Sequence, residues 1–218
     1  MSKQWQNAIP WSLALVVSIL AVYAWGQSLA WNFRALNMYA FFPVLGLLAF
    51  SIMWSQYALS ALKRISWMQA IKLDVYFRYT GYIVLAAIVL HPGLLVYQLF
   101  RDGRGLPPSS YEHFVAPGLG WVTLLGTASL LAFLAFELRR WFSAARWWKY
   151  IPVAGDMAMV AILYHSLRLG AQLQSGWFRF VWWFYGITLI AILAQKYARL
   201  TTTALRASQQ QANKERHN

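Results

Sequence analysis

YTGYIVLAAIVLHPGLLVYQLF, residues 79–100, decides the fold. These 22 residues include no Asp, Glu, Lys or Arg. As an α-helix they rise about 33 Å, enough to cross a hydrocarbon core of about 30 Å. Apolar residues fall on every side of that helix, so it has no wet face and belongs in a membrane or a large core. The exception is His91, near its middle. A polar ring in hydrocarbon must be paired, and a titratable residue at that depth is a functional-site hypothesis by default.

Outward from this segment the pattern repeats. Residues 4–33, 35–62 and 113–136 are equally free of Asp, Glu, Lys and Arg, while 152–174 and 176–195 hold only Asp156, Arg168 and Arg179 between them. The chain of 218 residues therefore predicts an all-α membrane protein, a bundle of six transmembrane helices over 9–31, 38–62, 78–100, 118–138, 152–174 and 177–197. Strand alternation is absent, and a spanning element must satisfy its backbone internally. Trp5, Trp11, Trp25 and Trp31 flank the first helix as interfacial aromatics do. That segment is too long for a signal-peptide core, so it stays as a helix. Residues 1–200 form the helical domain, and 201–218 read as a polar, disordered cytoplasmic tail. No internal repeat and no GxGxxG fingerprint is apparent.

A net charge of +13 invites a nucleic-acid reading, but its distribution argues against one. Fourteen of the 19 Lys and Arg fall in alternate connections: Lys3; Lys63 to Arg78; Arg139 to Lys149; and Lys196 onward. The other connections hold Arg34, Arg101, Arg104, Arg168 and Arg179. This is the positive-inside bias, with N- and C-termini cytoplasmic. The expected setting is a bacterial inner membrane, with the basic loops against anionic lipid and the connection 63–77 lying in the inner interface. There is no cysteine, which excludes disulfides, iron–sulfur clusters and thioether-attached heme.

His165 is the counterpart of His91, within PVAGDMAMVAILYHSLRLGAQLQ (152–174). His91 lies 13 residues beyond Arg78 and His165 lies 16 beyond Lys149, about 20 and 24 Å of helical rise. Helices three and five run the same way, so the two imidazoles reach one depth and are candidate axial ligands of a single heme iron. Gly81, Gly93 and Gly170 offer places for close approach, Pro92 a bend in helix three, and Arg168 a partner for a propionate, with Gln98 and Arg101 as weaker candidates. The alternative for either histidine is an interhelical hydrogen bond, and for Arg168 simple snorkelling to the interface.

Other polar residues carry less. Asp156 reads as a buried ion pair with Arg78 or Lys149, or else as a proton relay. Glu137 balances Arg139 and Arg140, and Asp102, Glu112, His113 and Tyr111 read as a solvated outer loop rather than a metal or partner site.

The stretch Arg78-Tyr79-Thr80-Gly81, ten residues before His91, followed by the basic loop Arg146-Trp147-Trp148-Lys149 and a helix ending in His165, resembles the ferric-reductase-like transmembrane domain family. Within that family the likeness is to the heme-binding membrane subunits of the bacterial periplasmic methionine sulfoxide reductase system. The resemblance implies b-type heme and single-electron transfer from a quinol or flavin to an acceptor on the periplasmic side, ferric iron or a reductase partner protein. Many relatives hold a second heme about four helical turns further in, but the corresponding positions here are Phe77, Pro152 and Ile151, which cannot bind iron. One heme is therefore expected, on the outer side. A flavin or quinone at the inner side would meet Arg78, Trp147, Trp148 and Lys149, which equally suit an interfacial anchor. Two rival functions stay open: a non-redox membrane anchor or assembly subunit, and a small transporter with the histidines as a proton relay.

Overall fold

The computed structural model describes residues 3–34, 36–64, 69, 72–138 and 146–217. The expectations placed on Arg139, Arg140 and the Trp147 side chain lie outside these residues, as does the inner connection at 65–68 and 70–71. Six long helices carry the fold: α1 (Lys3–Ser28), α2 (Met38–Leu62), α3 (Asp74–Arg101), α4 (Gly120–Leu138), α5 (Ile151–Leu169) and α6 (Trp177–His217). All six are long and apolar enough to cross a membrane. Their outward faces stay apolar, with Leu15, Leu131, Ile187 and Phe180 each more than 60 % exposed. Such a surface suits lipid and not water.

The helix ends have local causes. Asn37 caps α2 by accepting the Ala40 N–H at 3.0 Å. α1 ends at Ser28, before the expected Trp31, because Ala30 and Trp31 adopt left-handed backbone and the Trp31 ring folds over Gly26. α5 ends at Leu169, five residues short of the expected limit. Gly170 closes it, and a Cβ there would stand 2.7 Å from the Ser166 carbonyl. The Gln174 side chain then donates back to the Leu167 carbonyl at 3.0 Å. α6 runs past the expected end at residue 197 and continues as helix to His217, with residues 201–213 exposed.

Packing divides the bundle into two hairpins. α2 lies along α3, and α4 along α5, while α1 and α6 flank α2. The core is aromatic: Trp182 is fully buried with its ring 4.7 Å from Phe50, and Trp54 stacks on Tyr185 at 4.2 Å. Three buried indole N–H groups find an acceptor, Trp182 on Ser166 Oγ, Trp54 on Thr188 Oγ1 and Trp25 on the Ala40 carbonyl. Bonds of this kind fix helix rotation where hydrocarbon offers no other partner.

Candidate functional site

α3 and α5 share little direct packing and instead face one another across a cavity of about 410 Å³ lined by both His91 and His165. That volume falls in the range of roughly 300–1,000 Å³ typical of small-molecule and cofactor sites. Phe50, Met53 and Phe133 form its apolar floor towards the basic ends of the helices, and Tyr39, Tyr111, Phe114 and Gln172 its opposite rim.

The two histidines are held by one device used twice. His91 Nδ1 lies 2.8 Å from the Phe42 carbonyl, and His165 Nδ1 lies 2.8 Å from the Val122 carbonyl. A carbonyl oxygen only accepts, so each Nδ1 must carry the proton and donate it. In the neutral form of each ring Nε2 then keeps its lone pair, the state in which imidazole ligates a metal. Metal-ligating histidines are oriented by this second bond in most proteins. Four residues after each carbonyl stands a glycine on which the ring rests. A Cβ on Gly46 would come within 2.8 Å of His91 Cε1, and one on Gly126 within 2.7 Å of His165 Cε1. The segments Phe42-Pro43-Val44-Leu45-Gly46 and Val122-Thr123-Leu124-Leu125-Gly126 are thus equivalent halves of one site. An internal repetition exists after all, at the level of two hairpins, too short in sequence to register there.

These features fit a flat ligand bound on both faces. Two neutral imidazoles line one cavity, each is pre-oriented, and the glycines leave room only for a ring. A buried hydroxyl on the wall, Thr123 Oγ1, has no hydrogen-bond partner among the described residues. Among the described residues no group of three or more His, Cys, Asp or Glu is placed to hold a bare metal ion. A heme iron asks for two side-chain ligands only.

The other expected site residues are distributed differently. Arg168 sits one turn beyond His165 but does not line the cavity. Gln98 donates to Asp102 at 2.9 Å and Arg101 lies 4.0 Å from it, so both face the outer loop. The polar rim is instead Tyr39 and Gln172, the latter donating to Ser28 Oγ at 3.2 Å. Towards the basic end, Arg78 lies over the Tyr79 ring and Lys149 over the Tyr150 ring, while Trp148 is buried. None of these three lines the cavity. Gly81 and Gly93 have open space where a Cβ would go and Gly170 meets Ser166 and Leu173, so the close approaches to the histidine rings belong to Gly46 and Gly126, which the sequence reading passed over. Their only signal in the sequence is a glycine within the helix preceding each histidine helix.

Asp156 is an ion-paired residue, but its cation is Lys196 of α6 and not Arg78 or Lys149. Tyr57 and Tyr197 also donate to its carboxylate, at 2.8 and 2.7 Å. Each oxygen is satisfied, and α2, α5 and α6 are pinned together. In the outer loop, Asp102 accepts from Tyr39 Oη at 2.7 Å and from Gln98. The Tyr39 hydroxyl first, then the Gln98 amide, hold the Asp102 carboxyl below its usual range, assisted by Arg101 and Arg104. Glu112 and His113 are exposed while Tyr111 is buried.

Compared with family models, curated proteins and solved structures, the chain matches none.

Proposed function

We propose that this chain is a multi-pass membrane electron carrier that holds one b-type heme between His91 and His165. The observation that carries the reading is the pair of imidazoles on one cavity, each with Nδ1 tied to a carbonyl and Nε2 without a partner among the described residues. When bound, heme supplies the one-electron couple; the protein supplies orientation, a dry site and electrostatics. His91 and His165 would hold the iron from both sides and leave it no open position, which would favour outer-sphere electron transfer over ligation of oxygen or substrate. Phe50, Met53 and Phe133 keep water from the floor, and Tyr39 and Gln172 offer polar contact at the rim.

The resemblance to the ferric-reductase-like transmembrane domain family supports the same reading. The charge distribution supports cytoplasmic termini, with the cavity in the outer half of the membrane, for which a bacterial inner membrane is the proposed setting. Electrons would come from a quinol or flavin and leave to ferric iron or a reductase partner outside. The rival reading, in which the histidines only tie α3 to α2 and α5 to α4, uses the same two hydrogen bonds but assigns the shared cavity no role. It predicts a colourless protein.

The purified protein is expected to give a b-type reduced-minus-oxidised spectrum. His91→Ala and His165→Ala should each abolish the six-coordinate form while the protein still inserts and folds. Unchanged coordination in either variant would refute the axial assignment.

A further inference from the structure

Two independent hairpins each deliver one imidazole, His91 from α2–α3 and His165 from α4–α5. A macrocycle held by both imidazoles would sit between the two hairpins. The edges of the space between the hairpins are unequal. On one side α6 packs against both α2 and α5 and covers that edge, and Trp182 is fully buried there. On the other side α3 and α4 touch sparsely.

A second, open groove of about 480 Å³ runs along this α3–α4 seam, and its lining is almost wholly apolar. Pro92, Tyr111, Thr127 and Leu130 line both the groove and the histidine cavity, so the two spaces share a wall. Both helices are membrane-crossing in length and composition, so the groove faces lipid. Pro92 also removes one backbone hydrogen bond from α3 at this level, where the helix is easiest to displace.

We infer that the α3–α4 seam is the lateral gate through which heme passes, edge-on, between the bilayer and the histidine pair. The inference rests on the electron-carrier reading above. Heme is amphipathic and partitions into membranes, and the seam is the unsealed margin of the space between the hairpins. Gly93 lines the groove with nothing within 4 Å of where a Cβ would stand, so a side chain there grows into the gate without displacing protein.

The absence of native cysteine makes the test clean. Gly93→Cys gives a protein with a single thiol, which a bulky methanethiosulfonate reagent blocks and a reductant frees. Hemin uptake by the full-length apoprotein in nanodiscs, and hemin release to apomyoglobin, are followed by the Soret band. With the thiol blocked, both rates should fall by about tenfold, the change given by ~1.4 kcal/mol of added barrier. They should fall by the same factor, so that affinity and spectrum are unchanged, and reductant should restore them. The same treatment of Gly81→Cys, outside the groove, should leave both rates alone. Rates that ignore the blocked thiol, or rates that fall by unequal factors so that the affinity changes, would overturn the gate. If the unmodified apoprotein takes up no hemin, the electron-carrier reading itself fails, and the gate with it.

Discussion

Gly126 supports His165 so closely that replacing one hydrogen by a methyl group should register in the metal site. The alanine Cβ would stand 2.7 Å from His165 Cε1 and 2.8 Å from Nδ1, about 0.7 Å inside the 3.4 Å at which ordinary contact begins. The contact is not with the end of a flexible chain. It is with a rigid ring held by its bond to the Val122 carbonyl, so the ring must retreat and stretch that 2.8 Å bond. Overpacking of this kind costs about 1–3 kcal/mol, and weakening an orienting hydrogen bond adds about 1 kcal/mol. Loss of second-sphere support typically lowers metal affinity by about 10–100-fold, and Gly126→Ala should fall within that range. Gly46→Ala should do the same through His91, where the clash is at 2.8 Å. The assay is hemin titration of the apoprotein, with electron paramagnetic resonance to read the loss of low-spin, bis-imidazole signal. Gly81→Ala is the control, since nothing lies within 4 Å of its Cβ position. If Gly126→Ala binds hemin like the parent protein, or Gly81→Ala is equally damaging, the steric argument is refuted.

Three further outcomes are expected. Asp156→Ala strands Lys196 among Tyr57 and Tyr197, and should lower stability by about 3 kcal/mol, read as an earlier midpoint in a dodecylsulfate titration, with the heme spectrum retained. Trp182→Ala removes a fully buried ring against Phe50 and lining the cavity. It should destabilise the bundle by about 3 kcal/mol or more and admit water to the site, seen as a shifted midpoint potential. Asp102 has a folded-state affinity for protons below its unfolded one, so its ties to Tyr39 and Gln98 are fully present above the ordinary carboxylate value of 3.8 and are lost as pH falls through the depressed value. Proteolysis of the loop 102–119 should therefore rise only below pH 3.8, and Asp102→Asn should remove that dependence.

Hydropathy settled the architecture because it sums along the chain: 22 uncharged residues are long enough to cross a bilayer whatever surrounds them. The bounds of α2 follow from the sequence for that reason, with Asn37 as a local cap, and the two histidines stand out because so few polar groups share their segments. The sequence also marked Asp156 as needing a counter-charge. Its partner depends on how α6 is rotated against α5 and α2, and that rotation is set by Trp182 and Tyr185 of α6, which meet Trp54 of α2 and, through the Trp182 indole, Ser166 of α5. The same dependence explains the missed glycines. Gly81 and Gly93 lie on the histidine-bearing helix and face open space, whereas Gly46 and Gly126 lie on its neighbours and meet the rings. Which carbonyl receives each Nδ1, and so which nitrogen is left for a metal, is a fact about helix pairing. Contacts between residues 39 to 49 positions apart cannot be read from a periodicity of 3.6, and only the tertiary fold brings them together.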